Sequence, residues 1–347
     1  MSWTVVAARE LAAPETAARW CQVHRAGPAS PLLALEFVTA ALAVYGSGKE
    51  RLAWHTHAGQ VDTIAILTPG QAGAWHTFQP AQAPLGFWLQ RGDLARTTDL
   101  AALLRALPGP ALMLGLTQCD PLLMARPDDS AALRCLDYIE TAHIDVAGSF
   151  DDYWQARGKN LRTNLRKQRK RLADDGLVTR LQLSTAVDEM AAAVEDYGRL
   201  ESTGWKGADG TAVASGNEQG RFYRTLLETF AANGGARVYR YWIGEQLAAM
   251  DLCVEGGVFL VVLKTAYDEH LDLPAASAGG LSPALLMRED AVRDIFDAGQ
   301  VARIEFYGRV MEWHRRWSDD FRVLYHLNAY RWSLLGRLHE RMRTARP

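Results

Sequence analysis

Residues 237–296 read RVYRYWIGEQLAAMDLCVEGGVFLVVLKTAYDEHLDLPAASAGGLSPALLMREDAVRDIF. Three strands open the stretch: RVYRYWI, QLAAMDLCVE and VFLVVLKTAY. They are rich in β-branched and aromatic residues and are separated by glycine-containing turns. The third, Val258 to Tyr267, is long and apolar, as a central strand is. A glycine-containing loop, LDLPAASAGG, leads into the helix SPALLMREDAVRDIF. Ser282 is a favoured N-cap, and Pro283 is favoured at the first helical position. Free N–H groups at such an end attract anions, aided by the helix dipole. Gly279 and Gly280 allow close approach of backbone to a ligand. Strand, loop and helix start together suit the pyrophosphate of coenzyme A; a capped helix with no ligand has the same sequence signature.

Reading outward, helices are expected at 14–26, 31–45, 97–107, 128–137, 150–175, 187–203, 217–232, 310–318 and 329–344. Strands are expected in RLAWHTHAGQVDTIAILTPGQAGAWHTF, which holds three, and in ALMLGLTQ, YIETAHIDV, 178–184, VARIEFY and FRVLYHL. The alternation gives an α/β (α+β) fold class. A faint repeat links the halves. At a spacing of 186 residues, Gly48 falls on Gly234, Arg51 on Arg237, Gln60 on Gln246 and Gly70 on Gly256. The order of helix, glycine break, strand, turn, strand and glycine turn is shared.

The 347 residues exceed what one core usually covers, so two domains are expected, at 1–145 and 146–347. A net charge of −2 gives no global electrostatic case for nucleic acid. Cys21, Cys119, Cys135 and Cys253 have no metal-type or redox-pair spacing, which fits a reducing cytoplasm and no metal site. The N-terminus has no signal-peptide pattern, and the apolar run from Pro31 to Tyr45 is too short to span a bilayer. Cytoplasmic localisation without an integral membrane segment is the expectation. Residues 157–171 carry eight Lys/Arg and no acids, with Arg162, Arg166, Arg169 and Lys170 on one helix side. Such a face fits a polyanion, a tRNA or the 3′-phosphate of coenzyme A, or simply solvent.

The second half resembles the GNAT (N-acetyltransferase) superfamily, in particular its CelD/BcsL-like group, itself similar to FemAB-type peptidyltransferases. The resemblance runs through SFDDYWQARGKNLRTNLRKQRKRLADDG, ESTGWKG, RVYRYWIGEQLAAMDL, FLVVLKTAYDEH, the Ser-Pro helix start and IEFYGRVMEWHRRWSDDF. SPLLALEF in the first half is similar to the group's N-terminal half. The resemblance implies two tandem GNAT-like domains, each a mixed, mostly antiparallel sheet flanked by helices, the first degenerate. It implies acetyl-CoA or another acyl-CoA as co-substrate beside the central strand of the second domain. Two positions depart from the group's pattern: Ala284 stands where a glycine is usual, and Trp313-His314 where Tyr-Lys is usual.

Acyl transfer to an amine needs a neutral amine, a stabilised oxyanion and a proton for the leaving thiolate. Glu201, Asp251 and Tyr307 are the candidate catalytic residues. Glu201 ends a helix, Asp251 is a charge inside an apolar strand, and Tyr307 precedes a glycine. Lys264 is expected to pair with a carboxylate such as Asp251. The donor is expected against Val262, Leu263, Lys264, Gly279, Gly280, Leu281, Ser282, Ala284 and Leu285. Trp205, Lys206, Trp313 and His314 are expected at a small-molecule or envelope-saccharide acceptor, and the resemblance implies a setting in polysaccharide biosynthesis. His314 substitutes for the missing lysine only when protonated. A FemAB-like transfer from aminoacyl-tRNA and a non-catalytic GNAT-fold binding protein are the competing readings.

Overall fold

The computed structural model describes residues 2–92, 97–202, 213–274 and 280–337. The chain divides into two compact units, Met1–Thr141 with Arg322–Pro347, and Ala142–Phe321. It leaves unit 1 within strand β7 (Leu133–Asp145) and returns within β13 (Asp320–Tyr330). The division therefore differs from a cut at 145/146, since the segment from Arg322 belongs with unit 1.

Unit 1 holds β1 (Ser2–Ala7), α1 (Pro14–Ala26), α2 (Leu35–Tyr45), β2 (Arg51–His57), β3 (Gln60–Pro69), β4 (Ala74–Thr77), β5 (Trp88–Gln90), α3 (Thr97–Ala106) and β6 (Met113–Cys119). Its strands run in the order β1-β2-β3-β4-β6-β13, with β5 also on β3, and only β4–β6 is parallel. Unit 2 holds α4 (Phe150–Ala156), α5 (Lys159–Asp174), β8 (Thr179–Ser184), α6 (Val187–Ser202), α7 (Glu218–Ala232), β9 (Ala236–Ile243), β10 (Gln246–Gly256), β11 (Phe259–Tyr267), α8 (Pro283–Ala298), β12 (Arg303–Phe306) and α9 (His314–Trp317). Its order is β7-β12-β11-β10-β9-β8, and only β11–β12 is parallel. The strands of the two units thus share one topology. In each, the strand beyond the parallel pair follows the other unit's pair in sequence: β13 lies on β6, and β7 on β12.

The 186-residue spacing is a structural register. β2 ends at His57 and β9 at Ile243, while β3 restarts at Gln60 and β10 at Gln246. Each second strand carries a one-residue bulge at the same offset. Asp62 falls between the pairs Thr56–Val61 and His55–Thr63. Ala248 falls between Trp242–Leu247 and Tyr241–Ala249. The first hairpin turns through Ala58 and Gly59, both at positive φ (49° and 78°), which matches the right-handed strand twist.

Several expected elements change. Residues 128–137 form no helix. Asp129 Oδ1 takes the Cys135 N–H at 2.8 Å, Ser130 and Leu133 bridge, and β7 starts at Leu133. Short polar side chains have captured the backbone that a helix needs. The helix expected over 150–175 breaks at Arg157-Gly158 into α4 and α5, with both residues extended. β13 runs on to Tyr330, so helix appears only over 333–337 before the described residues end. β1 and β5 lie outside the expected strands. No described helix is long and apolar enough to cross a membrane.

The units differ in the strand third from the β13 or β7 end of this shared order. In unit 2, β11 is interrupted by a single bulged residue, Leu263, between the pairs Cys253–Val262 and Leu252–Lys264. In unit 1 the matching position is occupied by Phe78–Phe87. β4 pairs β3 at Leu67–Thr77, and β5 resumes at Ala65–Trp88. Hydrogen bonds from Phe78 N to Ile66 O (2.7 Å), Ile66 N to Phe87 O (3.0 Å) and Phe87 N to Phe78 O (3.3 Å) close the excursion. Gly86 lies between the ends of β4 and β6 and donates its N–H to Thr117 O at 3.1 Å. Thr77 Oγ1 and Thr117 Oγ1 are 2.7 Å apart beside it. A Cβ on Gly86 would stand 2.6 Å from Thr117 O and closer still to Thr77 Oγ1. Gly86→Ala is therefore expected to destabilise the fold by about 1–3 kcal/mol, read as a lowered urea midpoint; an unchanged midpoint contradicts the wedge.

Candidate active site

In unit 2 the β11–β12 ladder ends at Val261–Glu305. β11 runs on to Tyr267 while β12 stops at Phe306, and a cleft of about 980 Å³ opens where they part. Val262, Leu263 and Lys264 form one wall, and Ser282, Ala284 and Leu285 at the start of α8 form another. Tyr307, Trp313 and His314 close the far side. Of the expected residues, Val262, Leu263, Lys264, Leu281, Ser282, Ala284, Leu285, Tyr307, Trp313 and His314 all line this cleft. Glu201 and Asp251 stand behind the wall and touch residues that line it. Gly280 precedes the α8 start at φ +69°. Trp205, Lys206 and Gly279 lie outside the described residues.

The ion pairing differs from the expected Lys264–Asp251. Lys264 Nζ donates to Glu201 Oε1 at 3.1 Å and to Gln219 Oε1 at 3.4 Å. It lies 5.8 Å and 5.6 Å from the Tyr197 and Tyr223 ring centres. Glu201, at the end of α6, is buried; its Oε2 takes the Val213 N–H at 2.8 Å, and Tyr197 Oη donates to Oε1 at 3.4 Å. Burial and the Glu201 carboxylate push the Tyr197 phenol well up, so it remains a donor.

Asp251 has another partner. On β10 it is 1% exposed, and a lone carboxylate there would be costly. Thr265 Oγ1 donates to its Oδ1 at 2.5 Å, and Arg288 Nη2 donates to the same oxygen at 3.1 Å and to Thr265 Oγ1 at 2.9 Å. Arg288 Nη1 lies 2.6 Å from Oδ2, as a charge contact and not an aligned hydrogen bond. Burial pushes the Asp251 carboxyl up, and the guanidinium pulls it back. Arg288 lines the cleft, with its guanidinium 5.1 Å from the Phe306 ring centre and 5.7 Å from that of Trp313. Sequence reading missed it. The available signal was a cation on the helix stripe of Ala291, Val292 and Ile295, three, four and seven residues on.

His314 is not a lysine substitute. Burial, then the Arg288 cation, push it down to about 4, so it is neutral near pH 7. Its Nδ1 accepts the Met311 N–H at 2.9 Å, which assigns the ring proton to Nε2. It stacks on Trp313 at 3.6 Å.

Ser282 does not cap α8 with its side chain; its N–H donates to Gln168 Oε1 on α5 at 2.9 Å. The basic run over 157–171 is partly neutralised. Arg169 binds Glu289 (2.9 Å) and Asp290 (2.6 Å), Arg157 binds Asp319 (2.7 Å), and Lys170 binds Asp174 (2.9 Å). Lys159, Arg166 and Lys167 are exposed. Among the described residues, one group has metal-like spacing, His143, Asp145 and Asp320, away from the cleft lining. Asp145 there already pairs with Arg303.

Residues 159–315, inside unit 2, match the family model described as acetyltransferase (GNAT) domain. The chain is similar in structure to FemX (TM-score 0.60, 9% identity, 97% of this chain and 99% of that one). It is also similar to the C-terminal domain of a protein described as a lysylphosphatidylglycerol synthetase from Agrobacterium fabrum (0.53, 12%, 95% of each). A conserved protein of unknown function from Bacteroides thetaiotaomicron is a third (0.54, 12%, 90% and 97%). At these identities the likeness is one of fold, a mixed, mostly antiparallel α/β architecture. No curated protein matches the chain.

Two outcomes follow from the buried charges. Arg288→Met leaves the Asp251 carboxylate without its counter-charge and is expected to cost about 3–5 kcal/mol in denaturant unfolding. A loss under ~1 kcal/mol would show that the pair contributes little. His314 has a folded value of about 4 against 6.5 for the free group, so the unfolded chain binds the extra proton between them. Its contribution is complete above pH 6.5 and declines by up to about 3 kcal/mol as pH falls through 4. His314→Phe should flatten that slope in a pH series of unfolding curves.

Proposed function

We propose that unit 2 is an acyltransferase that moves an acyl group from acyl-coenzyme A to an amine or hydroxyl of a small molecule or saccharide. The observation that carries this reading is the cleft between the parting strands β11 and β12, with the α8 N-terminus on its wall. A thioester in that cleft lies along a strand edge that has no ladder partner beyond Val261.

The chemistry asks for few groups. The acceptor nitrogen or oxygen attacks the thioester carbon and the C–S bond breaks. The proton released from the acceptor balances the one taken up by the thiolate. Backbone N–H groups at Val262 to Lys264 are the candidates for the oxyanion, since the bulge at Leu263 turns this segment out of regular pairing. Tyr307, on the cleft wall, is the candidate acid for the thiolate. Glu201 and Asp251 are positioning residues. One anchors the Lys264 ammonium at the wall, and the other anchors Arg288 beneath Phe306 and Trp313. His314 offers a neutral N–H donor and no charge.

The exposed Lys159, Arg166 and Lys167 of α5 favour a second reading, transfer from aminoacyl-tRNA. Fold likeness to FemX is compatible with either reading. Titration with acetyl-coenzyme A and with charged tRNA separates them. Binding and acyl transfer with the thioester support the first. Salt-sensitive tRNA binding without affinity for coenzyme A supports the second. In a productive acyl-coenzyme A assay, Tyr307→Phe is expected to lower kcat by about 10²-fold with KM little changed. An unaltered kcat would remove Tyr307 from the proton path.

A further inference from the structure

Gln168 lies on α5, in a different element from the cleft wall, and is wholly buried at 0% exposure. Its Oε1 accepts the Ser282 N–H at 2.9 Å, at the first residue before α8. Its Nε2 is buried with no hydrogen-bond partner among the described residues. Covalent geometry places the two atoms side by side, so an unmade donor sits at the N-terminus of a sixteen-residue helix. A side chain needed only to accept the Ser282 N–H would not require that donor, and leaving one buried is unfavourable.

The helix end is also short of its own donors. Pro283 has no N–H, and the Leu285 and Leu286 N–H groups both turn back to Ser282 O at 3.1 Å. Ser282 N–H is held by Gln168, so within this turn Ala284 remains to serve an anion in the cleft. We infer that Gln168 is a ligand-binding residue, whose Nε2–H joins the first turn of α8 in holding a phosphate oxygen. An anion that takes over the Ser282 N–H releases Oε1 and lets the amide turn Nε2 toward the same oxygen. The inference rests on the proposal that a coenzyme A donor occupies the cleft, and it adds a residue from α5 to the helix end that its diphosphate meets.

The test is isothermal titration of the full chain with coenzyme A and, separately, with pantetheine, which lacks the phosphates. Gln168→Glu keeps an acceptor for Ser282 but removes the donor and adds like charge. Gln168→Met removes both and keeps the volume. Both variants are expected to weaken coenzyme A by about tenfold or more while leaving pantetheine within about twofold. Thermal melts of each variant confirm that it is folded. If the wild-type chain binds coenzyme A and the variants bind it equally well, or lose pantetheine in parallel, Gln168 is a structural cap and the inference fails alone. If the wild-type chain binds no coenzyme A, the inference fails together with the donor assignment.

Discussion

A single residue of extra chain in β11 governs what unit 2 presents. Leu263 has no partner across β10, so the strand kinks there, two residues after its ladder with β12 has ended. A parallel pair that continued in register would close the sheet and leave no room between Val262 and Tyr307. Because it parts, backbone and side chains from β11, α8 and the β12 end come to face one space. The buried network behind that wall is arranged around the same kink. Lys264 and Thr265, the residues just after it, reach Glu201 and Asp251 respectively.

Unit 1 shows the same sheet with the opposite outcome. By register, Phe87 holds the place of Lys264, Trp88 that of Thr265 and Ala65 that of Asp251. The polar cluster has become apolar, and the gap between the parallel strands is occupied by the chain itself at Gly86. Phe87 is fully buried, and Phe78 packs on it at 5.9 Å. The bulges at Asp62 and Ala248 give the two hairpins the same local structure, with an opening beside it in unit 2 and a filled gap in unit 1.

Much of this was legible in the sequence, and the failures share a cause. Strands β9 to β11 and helix α8 are marked by local signals: β-branched runs, glycine turns and a Ser-Pro start. The cleft-lining residues followed, because position along a strand and its following helix fixes which side chains approach the opening. Partners were not legible. Asp251 was recognisable as a buried charge, but its counter-ion sits 37 residues away on α8. Lys264 meets a carboxylate 63 residues earlier on α6. Periodicity reports which face a residue occupies and not which face it meets. The Ser282 side-chain cap does not form, the Leu285 N–H turning to Ser282 O instead, and the partner of the Ser282 N–H, Gln168, arrives from α5, 114 residues earlier.

The basic run over 157–171 shows how far local charge differs from available charge. Eight cations in 15 positions look like a polyanion surface when read along the helix. Folding assigns Arg169 to Glu289 and Asp290, Arg157 to Asp319, and Lys170 to Asp174. The Arg169 contact is half-buried and joins two helices, so its function is to fix α5 against α8. That docking also brings the next residue back along the helix, Gln168, to Ser282. A helix that appears in sequence to be an electrostatic surface is, on the side that packs, the element that sets the geometry of the α8 N-terminus. Its charge toward solvent is carried by Lys159, Arg166 and Lys167, with Lys170 exposed beside Asp174. Exposed cations on a helix attract an anion weakly at physiological salt, so this face alone gives little specificity.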